Sequence, residues 1–231
     1  MRSVSAIFMK QARDMIKNRA VLIEIIVFPV LAFVLTELVA KPDETIPNSM
    51  FTIMFASIFT GMILLMRSAG TIAEDREHKS LRFLVMAGVK PHEYLLGSGG
   101  VILVTGAVVS AVFGVLGGFS GAALEIFMAV MMLSTVASML LGAVIGILSK
   151  NQQAASGLGM PIAMILGFSP MIAMFNETAK KIFAIFYTMQ VDLVVSDFSA
   201  DLTKPFVIIL ANIAVLLVLF ILAYKKKGLR D

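Results

Sequence analysis

The sequence contains no cysteine, only two histidines in 231 residues, and charged side chains at only 15% of its positions. Without cysteine there are no disulfides, no thiolate nucleophile and no Cys-based metal site. Both histidines, His78 and His92, fall in one short charged stretch, and neither an H-E-x-x-H pair nor a second ligand cluster accompanies them. A G-x-x-x-x-G-K-[ST] run is missing, so ATP hydrolysis by a phosphate-cradling loop of that kind is excluded. A catalytic serine needs a neighbouring base, and the apolar segments offer none. We expect no catalytic residue and no metal ligand in this chain.

What is present is apolar. Hydrophobic residues make up 59% of the chain and the mean hydropathy is +0.95, far from the range of water-soluble domains. A membrane span takes roughly 20 apolar residues, which leaves room for six spans, short loops and no soluble domain of any size. The apolar segments run at about 20–40, 50–69, 94–118, 123–148, 155–175 and 205–224. This predicts an all-α membrane protein, a single domain over 1–231. Its divisions are a leading segment 1–19, spans 1 and 2 over 20–70, a charged connection 71–93 and spans 3 and 4 over 94–148. A fifth span with external pieces over 155–204, a sixth over 205–224 and a basic tail 225–231 complete it.

Lysine and arginine set the orientation. With the N-terminus inside, fifteen of the 19 lie on the cytoplasmic side, in 2–19, 67–90, Lys150 and the tail; outside are only Lys41, Lys180, Lys181 and Lys204. That bias predicts cytoplasmic termini. The net charge of +4 then reflects loop anchoring, not a nucleic-acid surface. Residues 3–18 are too charged to span. Val4, Ile7, Phe8, Ala12, Met15 and Ile16 share one helical face, and Lys10, Arg13, Asp14 and Lys17 the other, as in an interfacial helix with its basic face toward anionic headgroups. The plainer alternative is a charged tail ahead of a signal anchor; a cleavable signal peptide is disfavoured by the long charged region.

Within the spans, the fifth segment looks interrupted, by Gly157, Gly159, Pro161, Gly167 and Pro170. Residues 176–204 then read as short helices dipping back into the outer leaflet, with a plain external amphipathic loop as the alternative. Glu24 and Glu37 are the intramembrane acids, both near an interface and within reach of Arg19 or Lys41. A structural role is favoured for each, with Glu24, Pro161 and Pro170 kept as candidate pathway residues. The spacings Gly114/Gly118 and Gly142/Gly146 suit close helix contact. Seventeen methionines and seventeen phenylalanines suit an adaptable apolar path, although packing accounts for most of them.

The charged connection stands out. Ten ionisable side chains fall within 74–93, and in so apolar a chain we expect them in water beside a soluble partner. Leu81, Leu84 and Val85 share one face of a short helix with a charged rim. Gly88 suits a left-handed cap, and Pro91 the first turn of the next helix. The alternatives are a docking element or a solvated connector.

The string E-D-R-E-H-K-S-L-R-F-L-V-M-A-G-V-K-P-H-E-Y-L-L-G resembles the cytoplasmic loop of type-2 ABC (ATP-binding-cassette) transporter permeases. It departs from them at Lys79-Ser80, where the family typically has Gly-Thr. The resemblance covers about 25 residues as motif and the whole chain as layout. It implies the membrane half of a bacterial exporter in the cell membrane. Glu77, Ser80, Leu81, Arg82, Leu84, Pro91 and Glu93 would form the ATPase-coupling element, and the N-terminal helix with Phe8, Lys10, Arg13 and Lys17 a second contact. Implied partners are two copies of an ABC ATPase subunit, which would carry ATP and Mg, and a second permease copy, identical or related. The substrate implied is hydrophobic or amphipathic: a drug, an antimicrobial peptide or a lipid-like compound. The alternatives are an ATPase-coupled immunity factor that expels a toxic peptide from the membrane, and a self-sufficient carrier or channel. The last would show paired deep charges or an inverted repeat, and neither is found.

Overall fold

The computed structural model describes residues 2–43 and 45–227, with the side chains of Arg2, Leu81, Arg82, Val85, Pro91 and Lys227 outside the description. The described residues form helices and turns only. Helix α1 (Arg2–Lys17) ends at Asn18, whose side chain accepts from the Ala20 and Val21 N–H groups and so starts α2 (Arg19–Leu35), which runs on as a π-helical turn, Thr36–Ala40. The second span is one continuous rod: α3 (Met50–Ile58), a π turn (Phe59–Leu64) and α4 (Leu65–Glu77). After α5 (Ser80–Met86) come α6 (Pro91–Leu116), α7 (Ala122–Leu148), α8 (Gln152–Phe175), α9 (Glu177–Phe183), α10 (Tyr187–Ser196) and α11 (Thr203–Lys227). Among the described residues, six stretches are long and apolar enough to cross a membrane.

The second span and α7 are the centre of the bundle. Of the most apolar window of α7, 72% is buried, against 11% for α11 at the periphery. Water drives none of this packing inside a bilayer, so close backbone approach must supply it. Gly142 and Gly146 of α7 face the α4 backbone so tightly that a Cβ on Gly146 would stand 2.7 Å from the Ala69 carbonyl. Gly114 packs against Leu124 and Phe127, but Gly118 lies outside α6, in the following turn, with φ +71°.

Two expectations are corrected. The fifth segment is uninterrupted as a helix from Gln152 to Phe175, through Pro161 and Pro170. Pro170 cannot donate to the Leu166 carbonyl, and the Ser169 hydroxyl does so in its place at 2.9 Å. Nor does the second span stop at Ala69. Leu65, Ser68, Ala69, Ile72 and Asp75 stay on one buried stripe, so the first part of the charged stretch is the last two turns of a packed helix.

Residues 176–204 hold two short helices, α9 and α10. Asn176 caps α9 by accepting from Thr178 and Ala179. The buried face of α10 includes Tyr187, Thr188, Val191 and Val194. Tyr187 is anchored deep in the bundle, with its hydroxyl 2.7 Å from Ser138 Oγ, which also donates to the Thr60 carbonyl in the π turn.

Candidate functional site: the junction at the charged connection

Three consecutive residues at the end of α4 fasten that helix to four others. Asp75 is buried, with only 3% of its surface exposed. Its carboxylate accepts from Lys10 Nζ at 2.7 Å, Gln11 Nε2 at 3.2 Å and the buried Tyr94 hydroxyl at 2.9 Å, which ties α4 to α1 and α6. Arg76 donates to the Ile147 carbonyl and, at 2.9 Å, to the Ser149 carbonyl. These are the acceptors left open at the end of α7, where a cation also complements the helix dipole. Glu77 accepts from the Gln152 N–H at 3.1 Å, placing a negative charge at the N-terminus of α8. A displacement of the α4 terminus therefore pulls on α1, α6, α7 and α8 together.

The expectation that all ten ionisable groups sit in water fails at Asp75. A buried carboxylate is tolerable only where it is paired and hydrogen-bonded, and it has three donors. Burial by itself would lower the Lys10 pKa; the hydrogen bond to Asp75 and its charge outweigh that and hold the ammonium above its ordinary range. Lys10 is thus committed to a protein partner, not turned to headgroups. Arg13 and Lys17 stay exposed. On the same helix Ile7 is buried against Gly97, Phe8 contacts Gly100, and Met15 Sδ lies 3.4 Å from Thr105 Oγ1, so α1 lies along α6. Met9 and Ile16 remain exposed.

Between α4 and α6, α5 projects. It is entered through Lys79 in a left-handed conformation, φ +58°, and left through Gly88 at φ +82°, the cap expected of that glycine. Of the expected apolar face, the Leu81 and Val85 side chains lie outside the described residues and Leu84 is described. Leu84 turns inward and packs against the core, whereas Phe83 and Met86 are 67% and 72% exposed. Leu81, Arg82 and Pro91 contribute backbone to this region, and their side chains lie outside the described residues. Ser80 opens α5. Glu93 is spent locally, accepting from the Lys90 N–H at 3.0 Å at the start of α6.

Beside the junction, a cavity of about 340 Å³ opens among α1, α2, the second span and α6. Its polar lining includes Asp14, Lys17, Arg67 and Glu74; its apolar lining includes Val21 and Ile102. Arg67 forms an ion pair with Glu24, which settles that acid's partner as Arg67, not Arg19. Glu37 pairs with Lys41 at 2.6 Å. Pro161 is exposed and does not line this cavity. Phe83, Met86, Arg67 and Asp75 are the residues that sequence reasoning did not single out. For Asp75 a signal existed, because the three-and-four spacing of the span carries straight on to it.

Comparison with curated proteins gives no match. A family model described as "ABC-2 type transporter" matches residues 2–190, from the start of α1 into α10, and so includes the whole junction. The chain belongs to the ABC-2 type transporter family, as a multi-pass permease subunit of an ABC transporter.

Proposed function

We propose that this permease serves an ATP-driven exporter, coupled through α5 to a separate ATPase subunit, and that it moves a hydrophobic or amphipathic substrate. The observation that carries the reading is the pairing of Phe83 and Met86, two large exposed apolar side chains, on a seven-residue helix whose preceding helix is fastened to four others. Large exposed apolar side chains are the anchors that a docking contact requires. In this reading two ATPase copies carry ATP and Mg, and their closure on nucleotide pushes α5. The Asp75-Arg76-Glu77 ties then convert that push into motion of α1, α6, α7 and α8, with energy drawn from differential nucleotide binding. A second permease copy, identical or related, completes the path. In this reading α1, whose Met9 and Ile16 are exposed, lies in the inner interface of a bacterial cell membrane, and the short α9 and α10 are the re-entrant external pieces. The half-polar, half-apolar cavity beside the junction favours amphipathic substrates.

The test is affinity purification of the tagged chain in mild detergent. The wild type should bring down an ATPase subunit in stoichiometric amount. The Phe83→Asp/Met86→Asp double variant should insert normally and lose it. Unchanged recovery of the ATPase would remove α5 from the coupling role, and a wild-type chain that purifies alone as a stable oligomer would turn the reading toward a self-sufficient carrier.

A further inference from the structure

The end of the bundle opposite the junction holds a second cavity, of about 280 Å³. Three helices each turn one stripe toward it: Met50 and Met54 from α3, Met171 and Met174 from α8, and Asp192 from α10. The spacings of three and four residues keep each pair on a single helical face. Four thioethers give a lining that is soft, polarizable and able to reshape around different apolar bodies. The carboxylate is the feature that needs explaining. Asp192 is half-buried and has neither a hydrogen bond nor an ion pair among the described residues. The ammonium of Lys180 reaches it only through space and stands 3.9 Å from Glu177. A carboxylate facing a methionine-rich cavity, with one lysine acting on it only from a distance, loses hydration for little return, so it is the group there that profits most from a positive ligand.

We propose that this cavity binds an apolar organic cation, with the charge at Asp192 and the body among the four methionines. Two sources carry that chemistry: a free amphiphilic amine, and the ammonium head of an aminophospholipid. Binding of either kind needs no ATPase, so the proposal stands apart from the exporter reading and fails separately from it.

The experiment uses the full chain in an uncharged maltoside detergent and a fluorescent styrylpyridinium cation as the probe. Wild type is expected to bind it saturably. Asp192→Asn should weaken binding at least tenfold, and Asp192→Glu should keep most of the affinity. A neutral stilbene of the same shape should bind wild type and Asp192→Asn alike, because only the charge has changed. Met54→Trp fills the cavity without touching the carboxylate and should abolish binding of both probes, so a failure of Asp192→Asn to fold would not shelter the proposal. Added phosphatidylethanolamine that displaces the cation from wild type upholds the site and names the lipid ammonium as its source; no displacement upholds it for a free amine. Equal affinity of wild type and Asp192→Asn for the cation, or no saturable binding by wild type, overturns it.

Discussion

At Lys79 the backbone takes φ +58°, where an L side chain crowds the next carbonyl at a cost of roughly 1–2 kcal/mol. The reversal from α4 to α5 imposes it: the Lys79 N–H closes on the Arg76 carbonyl at 2.9 Å, and the Lys79 carbonyl accepts from Phe83. Glycine, which the resembling permeases carry at this place, takes that conformation freely. Lys79→Gly is therefore expected to stabilise the protein by about 0.5–1 kcal/mol, seen as a higher thermal midpoint in detergent; a lower midpoint would mean that the lysine side chain contributes more than its backbone costs. Asp75 poses the opposite case, since its charge is sheltered and served by three donors. Asp75→Ala would strand the buried Tyr94 hydroxyl, and about 2–4 kcal/mol should be lost. Asp75→Asn keeps an acceptor and should lose less, and Lys10→Met, which removes a half-exposed partner, about 1 kcal/mol or less. The pH dependence follows from Lys10, whose pKa is raised in the fold above its ordinary 10.5. A group raised in this way stabilises fully below its unfolded pKa and stops doing so as pH climbs through the folded one. The gap between wild type and Lys10→Met should stay constant from neutral pH to about 9 and close above 10.5; a gap that closes near neutrality would show that Lys10 is not the titrating partner.

Among the elements, the contact of α7 with α4 rests on glycine. A Cβ at Gly142 would meet the Leu65 carbonyl and stand 2.6 Å from Ser68 Cβ, and backbone atoms cannot move aside as a side chain can. Gly142→Ala is expected to cost about 1–3 kcal/mol as an overpacked contact, measurable as a lower unfolding midpoint, while Gly157→Ala, with nothing within 4 Å, should change little. Equal effects at the two sites would mean that helix propensity, not the α4 contact, decides. The spacing Gly142/Gly146 made this contact legible from the sequence, and the same spacing at Gly114/Gly118 misled, because Gly118 belongs to a turn. The helix α5 was legible as a helix, but Phe83 and Met86 were not legible as its exposed apolar pair. Seven residues make two turns, too few for periodicity to tell which apolar side chains stay out of the core, and only the anchoring of α4 and α6 on either side turns Leu84 inward. Proline was read too strongly in α8, where Ser169 supplies the bond that Pro170 lacks.

For the molecule as a whole, hydropathy alone laid out the six spans, because a bilayer demands long apolar runs that no other requirement produces. Charge was the harder signal. A cluster of ionisable residues ordinarily marks water, and only the packing of α1 and α6 around the α4 terminus shows that Asp75 left it. The sidedness of the bundle remains the property on which docking depends, and the absence of cysteine makes it directly measurable. Each single-cysteine variant carries one thiol in the chain, so a membrane-impermeant maleimide applied to intact cells reports one position at a time. Pro42→Cys and Glu177→Cys, both at exposed sites at the end of the bundle away from the junction, should label from outside. His78→Cys and Lys150→Cys, exposed at the junction end, should label only after the membrane is permeabilised. The positive-inside count requires this pattern, and so does the proposed docking of an ATPase on Phe83 and Met86. The reverse pattern would put α5 outside the cell, where no ATPase could reach it, and a mixture of labelled and protected sites within either end would contradict the six-span path of the chain.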